Sequence, residues 1–286
     1  MSSERSKSDS LALYLDIASE AALAGGGELE KYWGNLTQVR EKGRPGDLVT
    51  EADGAAEKQV LSVIQRHFPD HAVLAEESGS QGDSNSSFLW AIDPLDGTTN
   101  YSHQYPFSGV SVALLIDGVP KVGAIYDPFH RELFRAAHGL GATCNRRAIH
   151  TSGTRALKDS LLVTGFAYDR RETRDNNYAE FCYLTHMTQG VRRGGAASLD
   201  LAYVACGRLD GYWERGLSPW DLAAGVVLVQ EAGGKVTGYD LTPFDISSGR
   251  ILATNGLIHG EISDVLGQIQ PFNQDFNILS ETPADL

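Results

Sequence analysis

Two hydrophobic periods run along this chain. Leu11, Tyr14, Ile17, Ala18 and Ala21 recur at helical spacing and predict a helix from Leu11 to about Trp33, softly interrupted at Gly25-Gly26-Gly27. Glu41-Lys42-Gly43-Arg44-Pro45-Gly46 reads as a loop, and Thr50-Glu51-Ala52-Asp53 as a helix entry continued by Val60, Leu61, Ile64 and Phe68. Short apolar runs predict strands at 72–75 and 88–92. The runs 109–116 and 121–126 flank Asp117-Gly118, a hairpin signal, and 132–137 adds another strand. Beyond it, 161–164, 211–214 and 251–253 read as strands and 176–188, 197–206 and 258–269 as helices. Residues 221–231 form a small-residue helix stopped by Gly233-Gly234. No repeat or linker separates independent units. The expectation is an α/β fold of layered sheets and helices, one domain over 1–286, with packed lobes at 9–150 and 151–270 and a polar tail over 271–286.

Composition narrows the ligand. A formal charge of −13 argues against nucleic acid, whose phosphates are captured by basic faces. The same charge repels a small phosphate ester unless cations reverse its sign locally. Cys144, Cys182 and Cys206 fit no zinc or redox spacing, the first ten residues lack the apolar centre of a secretory signal, and no apolar run is long enough for a membrane. A cytoplasmic protein with reduced thiols and no membrane partner is expected.

Candidate chemistry concentrates in Trp90-Ala91-Ile92-Asp93-Pro94-Leu95-Asp96-Gly97-Thr98-Thr99-Asn100. An apolar strand ends in two carboxylates separated by a Pro bend, followed by Gly and two hydroxyl residues. Carboxylates there can hold a hard divalent cation, and N–H groups beyond the Gly can bind an anion. Three further acids stand out: Asp53, Glu76 after a second apolar run, and Asp221 at a helix start. Taken singly, each has an ordinary reading: an Asp-Pro turn, a first-turn acid, a solvated loop acid, an N-cap.

Taken together, Asp47-Leu48-Val49-Thr50-Glu51-Ala52-Asp53, Ala75-Glu76-Glu77-Ser78, the Ile92–Asn100 run, and Trp220-Asp221-Leu222-Ala223-Ala224-Gly225 followed by Glu231-Ala232-Gly233-Gly234 resemble the inositol monophosphatase family in order and spacing. The resemblance runs from about Leu11 to Ile269. It implies an alternating α-β-α-β-α layered fold, a homodimer, lithium sensitivity and Mg²⁺-dependent hydrolysis of a phosphomonoester, with Mn²⁺ a possible substitute. By position it implies that Glu76, Asp93 and the Leu95 carbonyl bind a first ion, and that Asp93, Asp96 and Asp221 bind a second. A third ion would sit near Glu76 through water. Glu76 would activate the attacking water, with Thr98, paired to Asp53, helping to hold it; Gly97 and Thr98 N–H groups would hold phosphate oxygens.

Gly195-Ala196-Ala197 and Glu214 align with segments that touch the alcohol, together with Asp96 and Asp221. Glu214 can accept hydrogen bonds from two ring hydroxyls. Ala196 departs from the family, which commonly has Ser or Thr there. Lys42 matches a mobile-loop lysine near the third ion. The Thr98-Thr99-Asn100 continuation resembles inositol monophosphatases more than nucleotide or histidinol-phosphate relatives. A phosphorylated polyol is therefore the expected substrate, with fructose 1,6-bisphosphate, galactose 1-phosphate and histidinol phosphate as alternatives. Arg170, Arg171, Arg192 and Arg193 are candidates for a second phosphate. Some bacterial members of the family also work through protein partners in RNA metabolism, which leaves a regulatory role open.

Overall fold

The chain opens with one long helix, α1 (Ser2–Tyr32), and a β1 (Val39–Glu41)–β2 (Leu48–Thr50) pair, followed by α2 (Glu51–His67). This computed structural model describes residues 2–272, so the polar tail expected over 271–286 lies almost wholly outside them. The predicted interruption at Gly25-Gly26-Gly27 does not occur. The helix runs through it, and the first two glycines serve close packing: a Cβ on Gly26 would stand 2.3 Å from the Tyr126 ring, and one on Gly25 2.9 Å from Val60.

Next come β3 (Ala72–Ala75), β4 (Gly79–Gln81), β5 (Phe88–Asp96), a short α3 (Thr98–Ser102), β6 (Gly109–Ile116), β7 (Val119–Asp127), β8 (Glu132–Ala137), β9 (Gly141–Cys144) and β10 (Arg147–Ala148). These strands form an eight-stranded sheet in the order β10-β9-β8-β7-β6-β5-β3-β4, antiparallel except for β3 and β5. The Asp117-Gly118 hairpin is present, with positive φ at both residues. The remainder folds as β11 (Leu161–Thr164), α4 (Tyr178–Met187), β12 (Gly190–Arg192), α5 (Ala197–Ala205), β13 (Gly211–Glu214), α6 (Pro219–Glu231), β14 (Lys235–Thr237), β15 (Ile251–Thr254) and α7 (His259–Gln268). Its five strands order as β12-β11-β13-β15-β14.

Period-two alternation sorts the strand side chains into layers. Trp90, Ile92, Val112 and Leu114 face α1 and α2, whereas Ala91, Ala113, Leu115 and Ile125 face α5 and α6. In the smaller sheet Val163, Tyr212 and Ala253 face α5 and α6 from the other side, while Leu162, Trp213 and Leu252 pack with Leu184 of α4 and with Ile262 and Leu266 of α7. The layers are therefore helix, sheet, helix, sheet, helix, the arrangement the resemblance implied. The helices α5 and α6 are buried on both sides, and their first turns open onto the site.

Candidate active site

A β-bulge builds the acidic end of the site. Asp93 pairs with Ser111 and Asp96 with Gly109, so three steps along β5 match two along β6. In a regular strand, residues three apart point to opposite faces; the extra residue cancels that parity. Leu95 thereby joins Trp90 and Ile92 on the α1–α2 side, and Asp96 turns with Asp93 toward α5 and α6. Pro94 has no N–H for the ladder, which suits it to the bulge. Alongside, β3 is in parallel register with β5, with Ala75 opposite Ile92, so Glu76 is carried beside Asp93.

Three acids are held by helix first turns. Thr50 is the N-cap of α2, and Asp53 at the third position accepts from Thr50 N–H (2.7 Å) and Thr50 Oγ1 (2.6 Å). Asp221, expected as an N-cap, sits instead at the third position of α6 and accepts from the N–H of the true cap, Ser218, at 2.7 Å. The N-cap of α5 is Ala196, which has no side-chain acceptor. Asp96 supplies one from another layer, its Oδ2 accepting from Ser198 N–H (2.7 Å) and Oγ (2.5 Å).

These acids are buried and close enough to repel. Burial, then Glu76, Asp96 and Asp221, push Asp93 well above the usual carboxylate range. Burial, then Asp96 and Glu76, do the same to Asp221. Asp96 is pushed up to about 6 by burial against the pull of Ser198, and Asp53 up to about 6 by burial against the pull of Thr50. Lys42 answers this charge, 2.7 Å from Glu76 Oε1 and also paired with Glu77. Burial works to lower the lysine's pKa, but the two glutamates outweigh it and raise it.

The expected metal ligands Glu76, Asp93, Leu95, Asp96 and Asp221 all line one cavity of about 440 Å³, as does Lys42. So do Gly97, Thr98, Gly195, Ala196, Ala197 and Glu214, the expected substrate contacts. Asp53 does not reach it. It stands behind Thr98, whose hydroxyl lies 3.1 Å from Asp53 Oδ1 and 3.0 Å from the Leu95 carbonyl. Gly97 turns the chain into α3 at φ 87°, a conformation that favours glycine.

The oxygen-only donor set, buried and mutually repelling, fits a hard divalent cation and no softer one. Among the described residues, no three His, Cys, Asp or Glu side chains close on a single point as they stand. Glu76 is turned to Lys42, and Asp93, Asp96 and Asp221 each give one oxygen to a backbone N–H.

In the same cavity, Glu214 closes β13 and accepts from the Tyr212 hydroxyl at 2.6 Å. Burial pushes its carboxyl up to about 7, with Tyr212 and Arg193 pulling the other way. A Cβ on Gly165 would fall 2.2 Å from this carboxylate. Arg170 and Arg193 line the cavity, while Arg171 and Arg192 do not. Sequence reasoning missed Ser198, Asp200 and Tyr168. Asp200, 2% exposed, reaches the cavity from α5, and burial raises it well above its usual range. A serine two residues into a helix whose cap is alanine was the one available signal for Ser198.

The sequence profile of the inositol monophosphatase family matches residues 11–271. An inositol-1-monophosphatase of Synechocystis is 61% identical over 266 residues, covering 93% of each chain. The Nus factor SuhB of Pseudomonas aeruginosa is 42% identical, covering 84% of this chain and 91% of that one. Among solved structures, an inositol monophosphatase from Anabaena (Nostoc) superposes with a TM-score of 0.86 at 63% identity, covering 92% of this chain and 98% of its own. With the layered fold and the acid-lined cavity, these matches establish that the chain belongs to the inositol monophosphatase family.

Proposed function

We propose that this protein is a phosphomonoesterase that hydrolyses inositol monophosphate to inositol and phosphate with Mg²⁺. The observation that carries this reading is a single cavity lined both by Glu76, Asp93, Asp96 and Asp221 and by a buried hydrogen-bond acceptor, Glu214. The 61% identity to an inositol-1-monophosphatase supports the choice of substrate.

Glu76, Asp93 and the Leu95 carbonyl would hold one cation, and Asp93, Asp96 and Asp221 a second, with Asp93 shared; a third would sit near Glu76, and Mn²⁺ could substitute. Bound cations supply the positive charge that neutralises the phosphate and acidifies water. Glu76 orients a water for in-line attack and takes its proton. Thr98 Oγ1, fixed between Asp53 and the Leu95 carbonyl, holds that water in place. The Gly97 and Thr98 N–H groups bind phosphate oxygens as charge builds on them. A new P–O bond forms to the water oxygen, the bond to the inositol oxygen breaks, and that oxygen takes up a proton from solvent to leave as the alcohol, while the proton held by Glu76 returns to solvent. Glu214 receives ring hydroxyls, and the Gly195-Ala196-Ala197 turn borders the ring, with Ala196 offering no hydroxyl of its own.

The same reading includes two lobes, at 9–150 and 151–270, supported by the division of the two sheets between these halves. It also includes a cytoplasmic, lithium-sensitive homodimer without nucleic-acid or membrane partners. No described helix is long and apolar enough to cross a membrane. A second reading, an added protein-binding role, is consistent with relatives named Nus factor SuhB. A cellular phenotype that survives Asp93→Asn would support it.

Turnover on a panel of phosphorylated polyols, sugars and nucleotides, with Mg²⁺ or chelator, tests the main reading. Inositol monophosphate should lead, and chelation should abolish turnover. Preference for fructose 1,6-bisphosphate would overturn the substrate assignment and give Arg170 and Arg193 a role.

A further inference from the structure

Residues 165–177 join β11 to α4 without regular structure, yet Phe166, Ala167, Tyr168 and Arg170 form part of the cavity wall. Such a segment needs anchors to present a defined surface. Asn177, 3% exposed, secures its base: Nδ2 donates to Thr164 Oγ1 (2.8 Å) and to the Gly165 carbonyl (2.7 Å), and Oδ1 accepts from Trp213 Nε1 (2.7 Å).

The middle is gripped by Arg215. Its guanidinium forms a two-pronged pair with Asp169, at 2.6 and 3.2 Å, and Nε faces Asp175 Oδ1 at 3.6 Å. Arg250 pairs with Asp175 from behind and lies over the Tyr239 ring at 4.7 Å. The Arg215 side chain is only 11% exposed, so this is not a solvated surface pair of little consequence. The adjoining Gly216 sits so close to the segment that a Cβ would stand 2.6 Å from Ala167 Cβ. Within three residues, the end of β13 thus carries the buried acceptor Glu214, the grip of Arg215 and the contact of Gly216.

We propose that Arg215 is a positioning residue for substrate selection: by gripping Asp169 and Asp175 it holds the Tyr168–Arg170 wall of the cavity, in the segment whose Gly165 packs on the Glu214 carboxylate. The wall meets the alcohol part of the ester, whereas phosphate is bound among the acids. Loosening the grip therefore weakens recognition of the alcohol and spares phosphate. This inference rests on the phosphomonoesterase reading.

Steady-state kinetics on inositol 1-phosphate, paired with inhibition by inorganic phosphate at saturating Mg²⁺, test it in Arg215→Met and Asp169→Asn. KM should rise about tenfold with kcat within about twofold and phosphate inhibition unchanged, and Arg215→Lys, which keeps the charge but loses the fork, should fall between. Unchanged KM would overturn the proposal. So would KM, kcat and phosphate inhibition shifting together, the signature of a purely structural residue. Should Arg215→Met fail to fold in a melting scan, Asp169→Asn, on the more exposed side of the pair, carries the measurement. Wild-type preference for another ester would defeat the functional reading alone, and the same variants would then be assayed on that ester.

Discussion

Among the acids that line the cavity, Asp96 and Asp221 are each bonded to an N–H group where a helix begins, as is Asp53 behind Thr98, and Asp93 lies on an interior strand. Another wall of the same cavity is an irregular segment held by ion pairs between side chains. The first arrangement fixes charged oxygens through backbone that cannot move without unwinding a helix. The second fixes a surface through side chains that can be exchanged while the sheets stay intact. Bond-breaking groups sit on the rigid part, and recognition is left to the part a few substitutions can reshape.

Asp93→Asn should separate function from stability most sharply. Turnover should fall on the order of 10³-fold, since this carboxylate is assigned to two cations. The melting temperature in chelator should hold or rise, because the substitution removes a buried charge that Glu76, Asp96 and Asp221 oppose. Near-normal turnover would break the assignment of the acidic end.

Glu214→Gln probes recognition of the alcohol. KM for inositol monophosphate should rise about tenfold, the scale of one hydrogen bond, with the Mg²⁺ concentration for half-maximal rate unchanged. An equal loss for every phosphate ester would place Glu214 with the general machinery instead.

The smallest effect is on stability against pH. Asp53 and Asp96 are pushed up to about 6 and Glu214 to about 7, against about 4 for free carboxyls. The folded chain therefore binds more protons than the unfolded chain across this window, and stability is greatest at its acid end and falls as pH rises through the folded values. In chelator, the melting temperature should drop between about pH 4 and pH 7, and added Mg²⁺ should restore most of it at the upper limit. A flat profile would mean that these carboxyls are not opposed by their surroundings.

Legibility in the sequence followed the same division. Strands 72–75, 109–116 and 132–137 were readable to the residue because short apolar runs bounded by turn residues mark strands directly. Glu76, Asp93, Asp96 and Asp221 were readable only together, because each alone has an ordinary reading and the order and spacing of their motifs carry the resemblance. Asp200 was hidden inside a small-residue helix, and the alanine cap that hinted at Ser198 did not name its partner, a carboxylate 102 positions away. Gly25-Gly26-Gly27 misled for a related reason: the chain alone does not tell a glycine that ends a helix from one that seats it against a ring. Arg215 and Asp169, 46 positions apart, carried no signal at all.

The bulge at Pro94 makes the spacing of its flanking acids a matter of reading frame. Inserting one residue into β6 between Gly109 and Ser111 would pair three steps with three, restore strict alternation and send the second acid through to the opposite face, among Trp90 and Ile92. Such a chain, still able to form its sheets, should show no Mg²⁺-dependent rise in melting temperature, and a preserved rise would contradict this account. For this site, then, one step of chain length outweighs many changes of side chain: a single residue added on the strand opposite the bulge is the lesion it can least absorb.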